Sequence, residues 1–131
     1  MTTTTSAFTV TQAEILEAAA DLLETHGIHR GDFQGPKRED GTCSHCILGA
    51  INKVAFTILP ERPDVFTPDI TRVFDVVFDT KEAAKESLYE VLEADFGGAD
   101  GLADFNDNIG TDEQILALLR KGAALAKAAG K

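Results

Sequence analysis

Nowhere does the sequence hold an apolar run approaching the roughly 20 residues that a membrane-spanning helix needs. The opening Met1-Thr2-Thr3-Thr4-Thr5-Ser6 lacks the basic and apolar regions of a signal peptide. A cytoplasmic protein with no membrane partner is expected. Cysteine is scarce: Cys43 and Cys46, three positions apart, cannot build a disulfide framework, and in a reducing compartment they are thiols or metal ligands. Positive charge is scarce as well, with 12 Lys and Arg against 22 Asp and Glu and a net charge of −10. Nucleic acid and anionic lipid both require clustered basic side chains to displace counterions, so direct binding to either is disfavoured. No internal repeat is present, which excludes a solenoid.

What is present fits one domain. A chain of 131 residues buries roughly two-thirds of its unfolded surface. Hydrophobic residues at 44% and charged residues at 26% are ordinary globular values. The negative charge is uneven: residues 61–107 hold 13 acidic and 4 basic residues, so the remaining chain is nearly neutral at −1. That concentration favours a basic protein as partner and leaves self-association open.

Residues 1–10 read as a flexible Thr-rich tail, with Phe8 and Val10 placed to staple the helix that follows. Thr11-Gln12-Ala13-Glu14 is a capping box, Ile15, Leu16, Ala19, Leu22 and Leu23 recur at helical spacing, and Gly27 supplies the stop, which predicts a helix over 12–26. Glycines, a proline and mixed charges make 27–42 a long loop. A second helix is expected from Ser44 as cap, with Cys46, Ile47, Ala50, Ile51, Val54 and Ile58 inward and Pro60 and Pro63 ending it. Gly49-Ala50 in its middle anticipates close approach of another helix. Thr67-Pro68-Asp69 starts a third, with Ile70, Val73, Phe74, Val77 and Phe78 on its apolar side. Asp79-Thr80-Lys81-Glu82 can cap a fourth directly, so that the two form either separate helices or one kinked rod, with Ala84, Leu88, Tyr89, Val91 and Leu92 inward. Residues 97–110 read as loop anchored by Leu102 and Phe105, and Thr111-Asp112-Glu113-Gln114 caps a fifth helix carrying Ile115, Leu118, Leu119, Gly122 and Leu125 inward. The expectation is an all-α single domain over 11–131, with about five amphipathic helices and a long loop between the first two.

Two constellations carry chemistry. His26-x2-His29 with Cys43-x2-Cys46 offers two nitrogen and two sulfur ligands, suited to tetrahedral Zn²⁺ and able to pin the loop; the competing reading buries Cys46 as a small hydrophobe and needs no cofactor. The cysteines could also form a redox pair at a helix start, or Cys46 could act as a nucleophile with a histidine and Asn106 or Asp107. The plainer role for Asn106 and Asp107 is to lock the loop before the last helix through side-chain-to-backbone bonds. Glu82, Glu86, Glu90 and Glu93 recur at i, i+4, i+8 and i+11, either as a solvated helix face or as a partner-binding stripe.

With these pieces in place, Ile15-Leu16 through Gly27, Cys46-Ile47-Leu48-Gly49-Ala50-Ile51, and Phe105-Asn106-Asp107 followed by Thr111 and Ile115 to Leu119 resemble a family of small uncharacterised helical proteins from actinobacteria and their phages. Members tend to carry tryptophan where Phe105 stands. The resemblance implies a shared helical fold and a phage or actinobacterial origin, and brings no activity. The functional expectation is a non-enzymatic interaction module with an acidic surface, in the host cytoplasm if phage-encoded; the alternative is a zinc-stabilised or cysteine-dependent protein centred on Cys46.

Overall fold

The computed structural model describes residues 10–31, 34–58, 70–97 and 101–131. Among them five helical segments occur and no strand: α1 (Gln12–His26), α2 (Ile47–Lys53) continuing as a π-helical turn over Val54–Ile58, α3 (Ile70–Phe96), α4 (Leu102–Asp104) continuing as a π-helical turn over Phe105–Ile109, and α5 (Asp112–Ala128). The fold is all-α.

Both expected capping boxes form. Thr11 Oγ1 accepts from the Glu14 amide while the Glu14 carboxylate accepts from the Thr11 amide, and Thr111 with Gln114 repeats the arrangement at α5. Each removes two orphan donors from a helix start. α1 packs on α5 and α2, and α3 packs on both α1 and α5. Ile15, Leu16, Ile47, Ile51, Leu88, Phe105, Ile115 and Leu119 are fully buried at this junction. Each such side chain contributes about 1.5–3 kcal/mol on burial. Gly122 marks a close approach of helices: a Cβ there would stand 2.7 Å from Leu88 Cδ2 and 3.2 Å from Leu16 Cδ1, so α1, α3 and α5 meet where α5 has no side chain.

Several boundaries differ from the sequence expectation. Helix two starts at Ile47 rather than at a Ser44 cap, because Ser44 and His45 are held extended. The Gly35 amide donates to Ser44 O at 2.8 Å, His45 N donates to Gly27 O, and His29 N donates to His45 O. The loop over 27–42 therefore has backbone partners of its own. Expected helices three and four are one continuous α3, and the hydroxyl of Thr80, read as part of a cap, bonds back to Val76 O at 2.8 Å in mid-helix. The expected loop over 97–110 contains α4. Five residues placed inward are exposed: Ile58, Phe74, Phe78, Tyr89 and Leu125. On α3 a single helix whose core side is fixed by Val77, Ala84, Leu88 and Val91 turns Phe78 and Tyr89 outward, whereas Phe74 stands in line with buried Leu92 and meets only the Phe56 ring, at 6.1 Å between centroids. Of the tail only Val10 is described, and it is buried; Phe8, Pro60, Pro63 and Thr67-Pro68-Asp69 lie outside the described residues.

Candidate functional site

The loop and the start of α2 converge on Asn106, 1% exposed, in the π-helical turn after α4. Its Oδ1 accepts from Ile47 N at 3.0 Å, the first amide of α2. Its Nδ2 donates to His29 O and to Asp107 Oδ1, each at 2.9 Å. Asp107 Oδ1 also accepts from the Gly31 amide at 2.9 Å, and this bond, then that from Asn106, holds its carboxyl below the usual aspartate range. Arg30 closes the corner, donating to Gly110 O and pairing with Asp112 at the first turn of α5. Asn106 and Asp107 thus bond side chain to backbone, as the sequence suggests, but across the molecule to the first loop rather than within their own.

The four expected metal ligands have separate surroundings. His26 ends α1, and its carbonyl accepts from Arg38 Nη2 at 2.8 Å. His29 offers its backbone to His45 and Asn106. Cys43 Sγ lies 3.8 Å from His45 Nε2. Cys46 is the N-cap of α2: its Sγ accepts from Gly49 N at 3.3 Å, and burial pushes the thiol pKa up, which keeps it protonated and weakly nucleophilic. Among the described residues no three His, Cys, Asp or Glu side chains are grouped to hold a metal ion.

The acidic residues of α3 are placed differently. Glu82 is half-buried and pairs with Lys85 at 3.2 Å and Lys81 at 3.4 Å, which, Lys85 first, lowers its pKa. The Lys81 ammonium is itself tucked against the rings of Phe56 and Phe78, at 5.2 and 4.9 Å. Glu86, Glu90 and Glu93 are exposed and make no ion pair among the described residues. The continuity of α3 adds Asp75 and Asp79, both exposed, to the same row. At 100° per residue the six acids span only about 80° of the helix circumference, opposite the buried side, over about 27 Å.

A family model described as a family of unknown function, DUF6197, matches residues 7–125. The chain belongs to DUF6197. No curated protein and no solved structure matches it. Two features of this DUF6197 chain lie beyond what sequence patterning identifies. His45, flanked by the two cysteines, is 5% exposed, and burial first, then the charge of Lys53, lowers its pKa, so the ring is neutral near pH 7. Asp75 and Asp79 join the acidic row only because α3 does not break at 79. The apolar periodicity of 70–78 signals a helix but not its continuity, and nothing in the spacing marks His45 as buried.

Proposed function

We propose that this DUF6197 protein is a non-enzymatic interaction module that receives a basic partner protein on the outer face of α3. The observation that supports it is the row of Asp75, Asp79, Glu82, Glu86, Glu90 and Glu93 on one side of a single helix. Like charges at i, i+4 each cost a few tenths of a kcal/mol, and Glu82 alone of the six is held in ion pairs among the described residues. A face that needs only to be wet can mix its signs; a row of one sign along about five helical turns suits docking to the opposite sign. Exposed Phe78 and Tyr89 run along the edge of the row and supply the aromatic area that anchors protein interfaces. An actinobacterial or phage origin and a place in the host cytoplasm belong to the same reading and rest on the motif resemblance alone. No metal or cofactor enters it, and the cap made by Cys46 is consistent with a thiol in a structural role.

The test is affinity capture from a host lysate with the wild-type protein and with Glu86→Lys/Glu90→Lys as baits. The expected result is a basic protein retained by the first and reduced roughly tenfold with the second, equivalent to about 1.4 kcal/mol, while the melting temperatures agree. Equal capture by both baits contradicts the proposal.

A further inference from the structure

On the side of the bundle away from the first loop, α3 and α5 leave between them an open cleft of about 290 Å³. Val91 and Ala94 of α3 and Gly122, Leu125, Ala126 and Ala129 of α5 make it apolar. On each helix the lining positions recur three and four residues apart, so the cleft follows two helical turns, about 10 Å.

Leu125 shows what kind of surface this is. It stands seven residues after Leu118, which puts the two on the same side of α5, yet Leu118 is 1% exposed and Leu125 is 53% exposed, the most of any large hydrophobic side chain described. Ala129, one turn further on, is exposed as well. The core side of α5 thus outruns its cover toward the end of the helix: the apolar positions continue, and among the described residues no element of the same chain closes over them.

Charge restricts what can cover it. The rim carries both signs, Glu90 from α3 and Lys121 and Lys131 from α5 and the residues after it. Lys121 is neutralised by Asp95 at 2.7 Å, whereas Glu90 and Lys131 make no ion pair among the described residues. A uniformly basic surface would meet Lys131 and a uniformly acidic one Glu90. A second copy of the chain, turned by a two-fold axis, brings the same two charges in reverse order together with its own exposed leucine. We propose that this cleft is the isologous surface of a homodimer, in which Leu125 of each copy lies in the cleft of the other and Glu90 faces Lys131 of the partner subunit. The net charge of −10 on each copy opposes association. The acidic row, however, is centred about 90° around α3 from the cleft, so most of it points away from the second copy. The dimer is therefore reversible, with a dissociation constant on the order of 10 µM. It shares only Glu90 with the row and does not rest on the reading of that row as a partner site.

Sedimentation velocity of the full-length protein from about 1 µM to about 1 mM is expected to show monomer passing reversibly into dimer and no further. Leu125→Lys should weaken the dimer roughly tenfold or more, and because Leu125 is exposed the variant keeps the wild-type circular dichroism spectrum. Glu90→Lys and Lys131→Glu should each weaken it roughly threefold. The double variant Glu90→Lys/Lys131→Glu, whose net charge equals that of wild type, should restore the wild-type constant. A chain that stays monomeric throughout, association that runs past the dimer, a dimer left intact by Leu125→Lys, or a charge swap no better than either single change would each overturn the proposal. Leu125→Lys leaves the acidic row untouched, so its effect on the dimer is separable from capture of a basic protein.

Discussion

At the scale of single residues, Asn106 does most to join the parts of the chain that lack long helices. It satisfies one amide at the start of α2 and one carbonyl in the first loop, both far from it in sequence. Replacing it leaves the buried Ile47 amide and the half-buried His29 carbonyl without this partner, and an unsatisfied buried group costs about 1–3 kcal/mol. Asn106→Ala is therefore expected to lower unfolding free energy in urea by about 2–4 kcal/mol, and a loss below about 1 kcal/mol would show that the lock is weak. Its neighbour Asp107 has a depressed carboxyl pKa, because the charged form accepts from Gly31 and Asn106. A folded-state pKa below the unfolded value of about 3.9 gives stability that is present above that pH and lost as pH falls through the folded pKa. Asp107→Asn should thus be less stable than wild type at neutral pH, with the gap closing below about pH 4. A gap that stays constant from neutral pH to pH 3 would exclude the carboxylate as its source. The sequence makes Asn106 and Asp107 recognisable as loop-locking side chains, since both types bond readily to backbone. Their targets at His29, Gly31 and Ile47 are set by tertiary packing and leave no local pattern.

Among the elements, α1 and α5 are legible because each begins with a capping box and keeps one apolar side throughout. α3 takes one of the two forms the sequence allows, a single rod rather than two helices. Thr67-Pro68 and Asp79-Thr80 both have the composition of helix starts, yet the chain passes through Asp79 without a break, and Thr80 bonds back to Val76. A local start signal is overridden where the following turns pack on α1 and α5 in the register already established. Thr80→Pro separates the two arrangements. Proline inside a continuous helix costs about 3 kcal/mol or more, whereas at the first position of a new helix it is tolerated. A loss near 3 kcal/mol by denaturant unfolding is expected, and a loss below about 1 kcal/mol would place a helix boundary at Asp79. The start of α2 was obscured in the opposite sense. Ser44 has the chemistry of a cap, but backbone pairing of Ser44 and His45 with the first loop moves that role to the sulfur of Cys46.

For the whole molecule, the distribution of charge matters more than its total. The ion pairs that tie elements together, Arg120 with Asp21 and Glu24 and Lys121 with Asp95, join α5 to α1 and α3 on the flanks of the bundle. Arg120 and Lys121 are thereby engaged away from the outer row of α3, which keeps its negative potential. Binding through such a row must weaken as salt shortens the Debye length, from about 10 Å at 0.1 M to about 3 Å at 1 M. The most direct measurement is the salt concentration at which a partner retained on the immobilised wild-type protein is released. Release of a basic protein well below 1 M NaCl, with the bait still folded by circular dichroism, is the expected result. A partner that remains bound at 1 M NaCl, or that is itself acidic, would contradict an interaction built on the acidic face of α3.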